Sequence, residues 1–508
     1  MSEYFVRSTP EAEGVDSHTL KTLLEYLKNP EMGIHSFMAV RHGKVISEAY
    51  WTPYAPEKPH TLFSTSKTFT GLAVGFAVQD GLLSLEDHVV DFFPERLPSK
   101  PGGNMQKMKV KHLLTMSTGF AKDPHDFPWP RPDDVNGTGP HCCHQGIELP
   151  LIDWVRNFFD HYVAYEPGTE FVYCTHATYM LSAIVQKVTG RTVSDYMNEK
   201  LFEPLGIGHP FWEEGPDGIT VGGWGLMLTT EQMAVVGQFM LNEGQWKGRQ
   251  LLSKEWIQDA TRAHLDMKHL NEPHMAGYGY QIWVDEREGS FMFRGAFGQM
   301  IVVVPGKDLV LSWTSGAGGK AREDMMEVLW DVFISKIGEG DVPDDVERVK
   351  ELRAVEASMQ IDPEEGMASW EIPEAKQYSG VRYELGDNRL GFTAFSMKFA
   401  EKEGEQDEMT LEVNHRPFTV PVGFGAWAEG KTCVATRDTD TDVSIVFESI
   451  AVSGAWRDDK YCLTLCFDET SYINKIEVTF RGEGIRFAHT RNQSFFPGAN
   501  AILSGVAL

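Results

Sequence analysis

The amino-acid sequence predicts a mixed α/β (α+β) fold class, in which an antiparallel sheet is flanked by helices and followed by a separate all-β domain. Apolar residues recur at helical spacing in several segments, such as the stretch from Val15 to Leu27. Four short runs between Gly277 and Trp313 instead have the composition of successive antiparallel strands. From about Glu374 to the C-terminus, short alternating runs predict a β-sandwich or barrel.

The length of 508 residues predicts two domains rather than one, each large enough to bury its own core. We place the first domain at residues 1–340 and an acidic, proline-bearing linker at 341–373, with one predicted helix from Val346 to Met359. The C-terminal β domain then occupies residues 374–508.

Composition restricts the partners and the location. A net charge of -27 disfavours nucleic acids and anionic membrane surfaces, so we expect a small-molecule substrate, and a homo-oligomer stays open. The N-terminus has neither a basic region nor an apolar core typical of a signal peptide, so we expect a cytoplasmic protein. No apolar run reaches the ~18 residues that a membrane-spanning helix needs.

The cysteines are sparse and irregularly spaced, and they predict no disulfide framework. His141-Cys142-Cys143-His144 invites interpretation as a metal site. However, adjacent cysteines cannot easily share one tetrahedral ion, and the usual two-residue spacer is missing. We therefore expect free thiols and loop histidines there, with no metal and no cofactor.

The elements predicted before residue 200 alternate between strands and helices. They are a helix at Val15–Leu27, strands at His35–Arg41 and Val45–Tyr50, a helix through Gly71–Val78 ending near Asp80-Gly81, a helix at Val110–Gly119, and a helix at Ala177–Val188 closed by Gly190. The stretch from Phe120 to Gly146 has no periodicity, and a loop of this length is often a lid or a pocket wall.

The elements predicted after residue 200 change from helical to strand periodicity. They are a glycine-rich bend at Gly222–Met227, a helix at Thr230–Asn242, strands at Tyr278–Val284, Ser290–Arg294, Met300–Val304 and Leu309–Trp313, a helix at Arg322–Ile337, and C-terminal strands at Asp442–Phe447, Tyr461–Phe467, Lys475–Phe480 and Gly484–His489.

The stretch from Thr61 to Thr70 carries the candidate chemistry. Ser64 and Lys67 stand three residues apart at the head of a predicted buried helix, so their side chains share one face and can act as a pair. In a first helical turn, free N–H groups and the helix dipole favour developing negative charge. A serine hydroxyl without such help is a weak nucleophile.

A purely structural interpretation of the same stretch is also open. A serine near a helix start is commonly an N-cap or first-turn residue, and Ser-x-x-Lys can occur by chance. The pattern occurs only once in this sequence, at the head of a helix too apolar for a surface lysine. These two facts favour the catalytic interpretation.

Two later segments follow the Ser-x-x-Lys pattern: Tyr173, placed after a Pro-Gly turn, and a glycine-bearing strand at Phe293–Gln299. This order resembles the serine β-lactamase and penicillin-binding protein superfamily, in particular its class C β-lactamase-like serine hydrolases of the esterase and peptidase branch. The resemblance covers roughly Pro10 to Ile337 and implies a β-lactamase/transpeptidase-like domain.

By position, the resemblance implies that Ser64 is the acylated nucleophile and Lys67 its proton-handling partner. Tyr173 matches the tyrosine of the family's Tyr-x-Asn element, which moves protons between serine, leaving group and water. A packed aromatic residue before a helix is the alternative for Tyr173. The N–H groups of Ser64 and Phe297 would form the oxyanion hole.

The glycine-bearing strand implies a substrate-binding wall. Gly295, Ala296 and Gly298 are small enough to let a substrate approach the backbone. Arg294 stands in the triplet where the family has Lys-Thr-Gly or His-x-Gly. It would either hold a substrate carboxylate bidentately or form an internal ion pair.

A second departure from the family pattern is Thr175, which occupies the position of the Tyr-x-Asn asparagine and lacks its amide. We assign Thr175 to substrate binding. Complete Tyr-x-Asn triplets occur at Tyr196–Asn198 and Tyr472–Asn474, and we interpret both as chance occurrences because they lie in a later helical stretch and outside the resemblance.

Together these features predict a serine hydrolase that acts through an acyl-enzyme on an ester or a small amide. The two departures disfavour lactam antibiotics. The alternatives are a non-catalytic ligand-binding protein on the same fold, and a true β-lactamase or D-amino acid peptidase. The C-terminal domain could cover the cleft, mediate dimers or stabilise the chain.

Overall fold

The computed structural model describes residues 4–124, 153–215, 217–267, 274–338, 340, 342–432, 448–495 and 500–507. Its α-helices are α1 Ser17–Leu27, α2 Ser66–Gln79, α3 Val89–Phe92, α4 Gly103–Lys107, α5 Val110–Leu114, α6 Trp154–Asp160, α7 Thr175–Thr189, α8 Val193–Met197, α9 Glu203–Leu205, α10 Thr230–Leu241, α11 Lys254–Ala260, α12 Gly319–Val328, α13 Val346–Glu356 and α14 Ala375–Tyr378. The described helices include none long and apolar enough to cross a bilayer.

The strands fall into a group before residue 316 and a group after residue 381. The first group is β1 Val6–Arg7, β2 Ile34–Arg41, β3 Lys44–Tyr50, β4 His60–Thr61, β5 Met227–Leu228, β6 Gln245–Trp246, β7 Arg249–Gln250, β8 Met275–Tyr278, β9 Trp283–Asp285, β10 Phe291–Arg294, β11 Met300–Val304 and β12 Leu309–Ser315. The second group is β13 Arg382–Leu385, β14 Phe392–Lys398, β15 Asp407–Val413, β16 Arg416–Val422, β17 Ala428–Thr432, β18 Glu448–Arg457, β19 Lys460–Cys466, β20 Ile473–Arg481, β21 Gly484–Arg491 and β22 Ala501–Ala507.

Some predictions lie outside the described residues. They are the loop after residue 124, the His141–His144 motif and the strand at Asp442–Phe447. Among the described cysteines, Cys174, Cys462 and Cys466 are buried free thiols.

Eight of the described strands form a central sheet in the order β1-β3-β2-β12-β11-β10-β9-β8. Neighbouring strands run antiparallel except β1 with β3. Strands β2, β11 and β12 are buried along their whole length, because helices cover both faces of the sheet. One core holds side chains of α2, α7 and α10, and the other holds side chains of α1, α12 and α13. The predicted antiparallel sheet with flanking helices is therefore confirmed.

The predicted strand at Tyr278–Val284 is wrong, because that stretch is a hairpin turn between β8 and β9, with Tyr278 paired to Trp283. The backbone reverses at Gln281, whose φ is 61°. Its buried side chain explains the reversal, since Nε2 donates to the carbonyl oxygens of Leu113 and Leu114, each at 3.0 Å. These partners are more than 160 residues away and leave no local sequence signal.

The predicted helix at Val110–Gly119 ends early, at Leu114. Met116 has a φ of 55° and Gly119 a φ of 87°, so neither continues a right-handed helix. Instead the backbone of Met116 accepts a hydrogen bond from Val172 N–H at 2.9 Å. The segment that leads into α7 thus runs alongside the end of α5. The predicted helix at Arg322–Ile337 is also broken, since α12 passes into a π-helical turn at Leu329–Phe333 and a 3-10 turn at Ile334–Lys336.

The second group of strands forms an all-β unit, as expected. Its order among the described strands is β16-β15-β14-β13-β22-β21-β20-β19-β18-β17. Gly423, directly after β16, donates to the carbonyl of Val452 at 3.1 Å and accepts from Gly454 N–H at 2.9 Å. These bonds bring the β16 edge against β18, so the sheet curls into a barrel-like shape around a third apolar core.

The predicted linker packs closely against the first sheet. Helix α13 lies beside α1, with Leu352 fully buried between them. Lys21 Nζ donates to Glu351 at 2.7 Å, and Ser47 Oγ donates to buried Glu356 at 2.6 Å. The boundaries at 340 and 373 stay predictions.

A buried histidine pair lies where the barrel-like unit meets the first sheet. His35 Nδ1 and His60 Nε2 are 3.1 Å apart, and the His35 ring stacks on Tyr54 with centroids 3.8 Å apart. Tyr54 in turn donates to the Thr470 carbonyl at 3.0 Å. Because His60 Nδ1 must donate to the Thr61 carbonyl, its Nε2 accepts from His35 when both rings are neutral.

Acid should lower the free energy of unfolding through this histidine pair. Burial lowers the pKa of His60 from 6.5 to about 4, so the unfolded chain takes up a proton that the folded chain refuses as pH falls below 6.5. This difference should remove about 2 kcal/mol of the free energy of unfolding between pH 7.5 and pH 5. Urea unfolding of the wild type and His60→Gln at both pH values measures the effect.

The wild type should lose more stability on acidification than His60→Gln. A matched control is His415→Gln, which changes an exposed histidine of the barrel-like unit and should keep the wild-type pH dependence. An identical pH dependence in wild type and His60→Gln would contradict the assignment.

Candidate active site

Ser64 lies on a short turn that joins strand β4 to helix α2. The turn is a 3-10 helix at Phe63–Thr65, so Ser64 precedes α2 instead of lying in its first α-helical turn as predicted. Phe63 has a φ of 47°, which bulky residues adopt only under strain. The Leu62 N–H donates to the Leu226 carbonyl at 2.9 Å and anchors the turn to β5. Ser64 is half-buried.

Lys67 lies beside Ser64, as the three-residue spacing predicts. Its Nζ donates to Ser64 Oγ at 3.1 Å and to the Gly223 carbonyl at 2.8 Å. The side chain is 2% exposed, and this burial lowers the pKa of the amine to about 8, against the opposing charge of Asp123. Near pH 7, roughly a tenth of Lys67 is therefore a neutral amine able to accept a proton.

The glycine-rich bend holds the amine of Lys67 in place. Gly222 has a φ of 66°, and its carbonyl accepts from Thr70 Oγ1 at 2.9 Å. A Cβ on Gly223 would lie 2.9 Å from Thr175 Cγ2 and 3.4 Å from Lys67 Nζ. Only glycine leaves room at this point, so the bend noted in the sequence belongs to the site.

Tyr173 and Thr175 form the neighbouring wall. The Lys67 Nζ lies 5.2 Å from the centre of the Tyr173 ring, a cation–π distance. Thr175 begins helix α7, and its N–H donates to Asp123 Oδ2 at 3.0 Å. Both residues are half-buried.

The segment from Gly295 to Gln299 packs directly against the Ser64 turn. Thr65 Oγ1 donates to the Gln299 carbonyl at 3.1 Å. A Cβ on Gly295 would lie 2.3 Å from the carbonyl oxygen of Leu62, and one on Gly298 would lie 2.4 Å from Ser315 Oγ. Both glycines are therefore required by close packing. Ala296 and Phe297 are half-buried between them, and Phe297 has a φ of 57°.

The structure places Arg294 on a ring face. Its guanidinium carbon lies 4.7 Å from the centre of the Trp283 ring, and Trp283 packs on Tyr173 with centroids 5.7 Å apart. Lys67, Tyr173, Trp283 and Arg294 thus form a continuous line of cation–π and ring contacts. This stacking was not among the interpretations drawn from the sequence.

Several residues around Ser64 escaped sequence reasoning. Asp123 lies near Lys67 at the start of an aperiodic stretch, and Trp283 lies in the hairpin mistaken for a strand. From the barrel-like unit, Tyr472 contacts Phe63 and Phe297 with ring centroids 6.3 and 5.8 Å apart. A Tyr-x-Asn triplet marks Tyr472 in the sequence, but only the fold brings it here. The asparagine of the same triplet, Asn474, is buried in β20, and its side-chain oxygen accepts a hydrogen bond from Arg491 Nε.

Among the described residues, no three His, Cys, Asp or Glu side chains lie together in a group that could hold a metal ion. The groups that meet at this site are the Ser64 hydroxyl, the Lys67 amine and the Tyr173 phenol ring. Such a set suits transfer of an acyl group to serine.

Comparison with known proteins also identifies hydrolases as similar to this chain. The family model described as Beta-lactamase matches residues 31–329. The 6-aminohexanoate-dimer hydrolase of Paenarthrobacter ureafaciens is 25% identical over 316 residues, covering 60% of this chain and 78% of that protein. Lovastatin esterase of Penicillium rubens is 29% identical over 167 residues, covering 29% of this chain and 37% of that protein.

A solved structure confirms the fold. A Bacillus anthracis protein assigned as a 6-aminohexanoate-dimer hydrolase superposes with a TM-score of 0.50 at 21% identity, covering 60% of this chain and 79% of that one. The β-lactamase-like architecture expected for the first part of the chain is therefore confirmed.

Close packing at Gly295 gives a direct test of the site's construction. Gly295→Ala should lower the free energy of unfolding by about 1–3 kcal/mol, because its methyl group would overlap the fixed Leu62 carbonyl. Urea unfolding measures this change. The matched control is Gly102→Ala, where a Cβ meets no atom within 4 Å and the φ of -62° suits alanine. Equal stability of the two variants would contradict the packing described.

Proposed function

This chain belongs to the beta-lactamase family, and we propose that it hydrolyses an ester or a small amide through an acyl-enzyme formed on Ser64. The observation that carries the proposal is the 3.1 Å hydrogen bond between Lys67 Nζ and Ser64 Oγ, made by an amine whose pKa burial lowers to about 8. The pair supplies a nucleophile and a base within hydrogen-bond reach.

In the acylation step, Ser64 Oγ attacks the substrate carbonyl carbon while its proton passes to the Lys67 amine. The carbonyl oxygen becomes an oxyanion, which the backbone N–H groups of Ser64 and Phe297 would stabilise. The bond between the carbonyl carbon and the leaving group then breaks, and the leaving group takes up the proton that Lys67 accepted. The acyl group stays on Ser64 as an ester.

In the deacylation step, water attacks the acyl carbon and gives up a proton to a basic group. Ser64 Oγ leaves, recovers a proton, and the carboxylic acid product departs. We assign Tyr173 to both transfers, and the distance of 5.2 Å between the Lys67 amine and the centre of the Tyr173 ring supports this assignment. Thr175, Arg294, Gly295, Ala296 and Gly298 would bind the substrate.

The names of two relatives fit this substrate class, since one is a 6-aminohexanoate-dimer hydrolase and the other is an esterase. Thr175, which replaces the asparagine of the Tyr-x-Asn element, favours an ester or small amide over a lactam. The proposal also includes the cytoplasmic location and the small-molecule substrate expected from the sequence. The alternative is a non-catalytic binding protein on this fold, and the next experiment distinguishes it from the hydrolase.

Covalent labelling tests the nucleophile. Wild-type protein treated with a fluorophosphonate should gain the mass of one phosphonyl group, and Ser64→Ala should gain none, as read by intact mass spectrometry. Ser358→Ala, which changes an exposed serine, is the matched control and should be labelled like the wild type. Full labelling of Ser64→Ala would refute the proposal, and so would ligand binding without turnover across a broad ester and amide panel.

The pH dependence of hydrolysis tests the base. Because Lys67 must be neutral to accept the serine proton, kcat/KM for p-nitrophenyl acetate should rise with pH and level off above an inflection near its pKa of about 8. Lys67→Ala should lower kcat/KM by about 100-fold or more and abolish the inflection. An inflection that persists unchanged in Lys67→Ala would assign the base to another group.

A further inference from the structure

Four aromatic side chains meet beside the Ser64 turn, and we call Phe63, Phe297, Tyr472 and Phe495 the aromatic cluster. The Phe63 and Phe297 rings lie edge to face with centroids 5.2 Å apart. Phe495 approaches Phe297 to 4.7 Å and Phe63 to 5.9 Å. Tyr472 completes the group by contacting Phe63 and Phe297. Two parts of the chain, more than 170 residues apart in sequence, thus build one apolar surface.

The backbone on the first-sheet side is strained to make this surface. Phe63, directly before Ser64, has a φ of 47°, and Phe297 has a φ of 57°. Left-handed conformations are unfavourable for bulky residues and concentrate at functional sites. Both residues with a positive φ carry rings of the aromatic cluster, and the two rings contact each other.

Hydrogen bonds around Tyr472 connect the barrel-like unit to the first sheet. Ser471 Oγ donates to the Ser315 carbonyl at 2.7 Å and accepts from Gln299 Nε2 at 2.8 Å. The Asn492 amide donates to the Ser471 carbonyl at 2.9 Å, and the Arg491 guanidinium lies 5.1 Å from the centre of the Tyr472 ring. Tyr472 is therefore fixed relative to the segment that carries Phe297.

The aromatic cluster is partly exposed. Phe495 is 52% exposed, while Phe63, Phe297 and Tyr472 are half-buried. An aromatic ring of a ligand that packed against the cluster would gain both apolar burial and edge-to-face contacts.

We propose that the aromatic cluster is a substrate subsite that takes an aryl or similarly flat apolar group, so that the barrel-like unit helps to set specificity. The proposal rests on the function proposed above, since the subsite is defined by its place beside Ser64. The aryl group could belong to the acyl part or to the leaving group of the substrate, and the two are separated by experiment.

Two ester series measure the preference. The first varies the acyl group from acetyl to phenylacetyl with p-nitrophenol as the leaving group, and the second varies the leaving group from ethanol to benzyl alcohol with an acetyl group. In at least one series, wild-type kcat/KM should favour the aryl substrate. Tyr472→Ala and Phe495→Ala should each reduce that preference about 10-fold. The series affected shows which part of the substrate occupies the subsite.

The matched control is Phe424→Ala. Phe424 is also a partly exposed phenylalanine of the barrel-like unit, at 41% exposure, but its described ring contact is with Trp370. Its preference should equal that of the wild type. Aryl preference that survives unchanged in both Tyr472→Ala and Phe495→Ala, or that is absent from the wild type in both series, overturns the subsite while leaving the proposed hydrolase function intact.

A binding measurement keeps the test independent of turnover. Isothermal titration calorimetry should give tighter binding of phenylboronic acid than of methylboronic acid to the wild type, with the difference reduced in Tyr472→Ala. Equal affinities in the wild type would overturn the subsite even if no ester is hydrolysed.

Discussion

The site depends on one buried ammonium group, that of Lys67. Helix α2 is buried along almost its whole length, so the charged amine loses hydration and its pKa falls. A charged group in such surroundings destabilises a fold unless polar atoms receive it. Here Ser64 Oγ and the Gly223 carbonyl do so, and one nitrogen atom thereby fixes the spacing between the Ser64 turn and the glycine-rich bend. The same burial that costs stability prepares the amine to accept a proton.

Gln299 performs the corresponding role on the other side of Ser64. Its fully buried side chain bonds the Ser315 backbone through both ends of the amide and reaches Ser471 of the barrel-like unit. Its own carbonyl accepts from Thr65, one residue after Ser64. The Ser64 turn, the end of strand β12 and the barrel-like unit are therefore joined through one residue. A shift in any of them would be transmitted to the position of Ser64.

These contacts narrow the possible roles of the C-terminal strands. The sequence left their role open among covering the cleft, mediating dimers and stabilising the chain. The Thr61 N–H, three residues before Ser64, donates to the Glu469 carbonyl at 2.9 Å, so the loop between β19 and β20 contacts the segment that leads to Ser64. The packing of the same unit against the first sheet also brings Tyr472 and Phe495 into contact with Phe63. The β unit thus contacts the turn that carries Ser64.

The sequence by itself determined what depends on neighbours along the chain. Helical periodicity located α1, α7 and α10, and strand composition located β2, β3, β11 and β12. The spacing of Ser64 and Lys67 placed both side chains on one side of a helical turn. Tertiary structure decided the rest, including the hairpin at Gln281, the early end of α5, and the meeting of Asp123, Trp283 and Tyr472 around the site. These features arise from hydrogen bonds and ring contacts between segments far apart in the chain. Periodicity reports which side of a segment is buried, and it carries no information about which distant segment buries it.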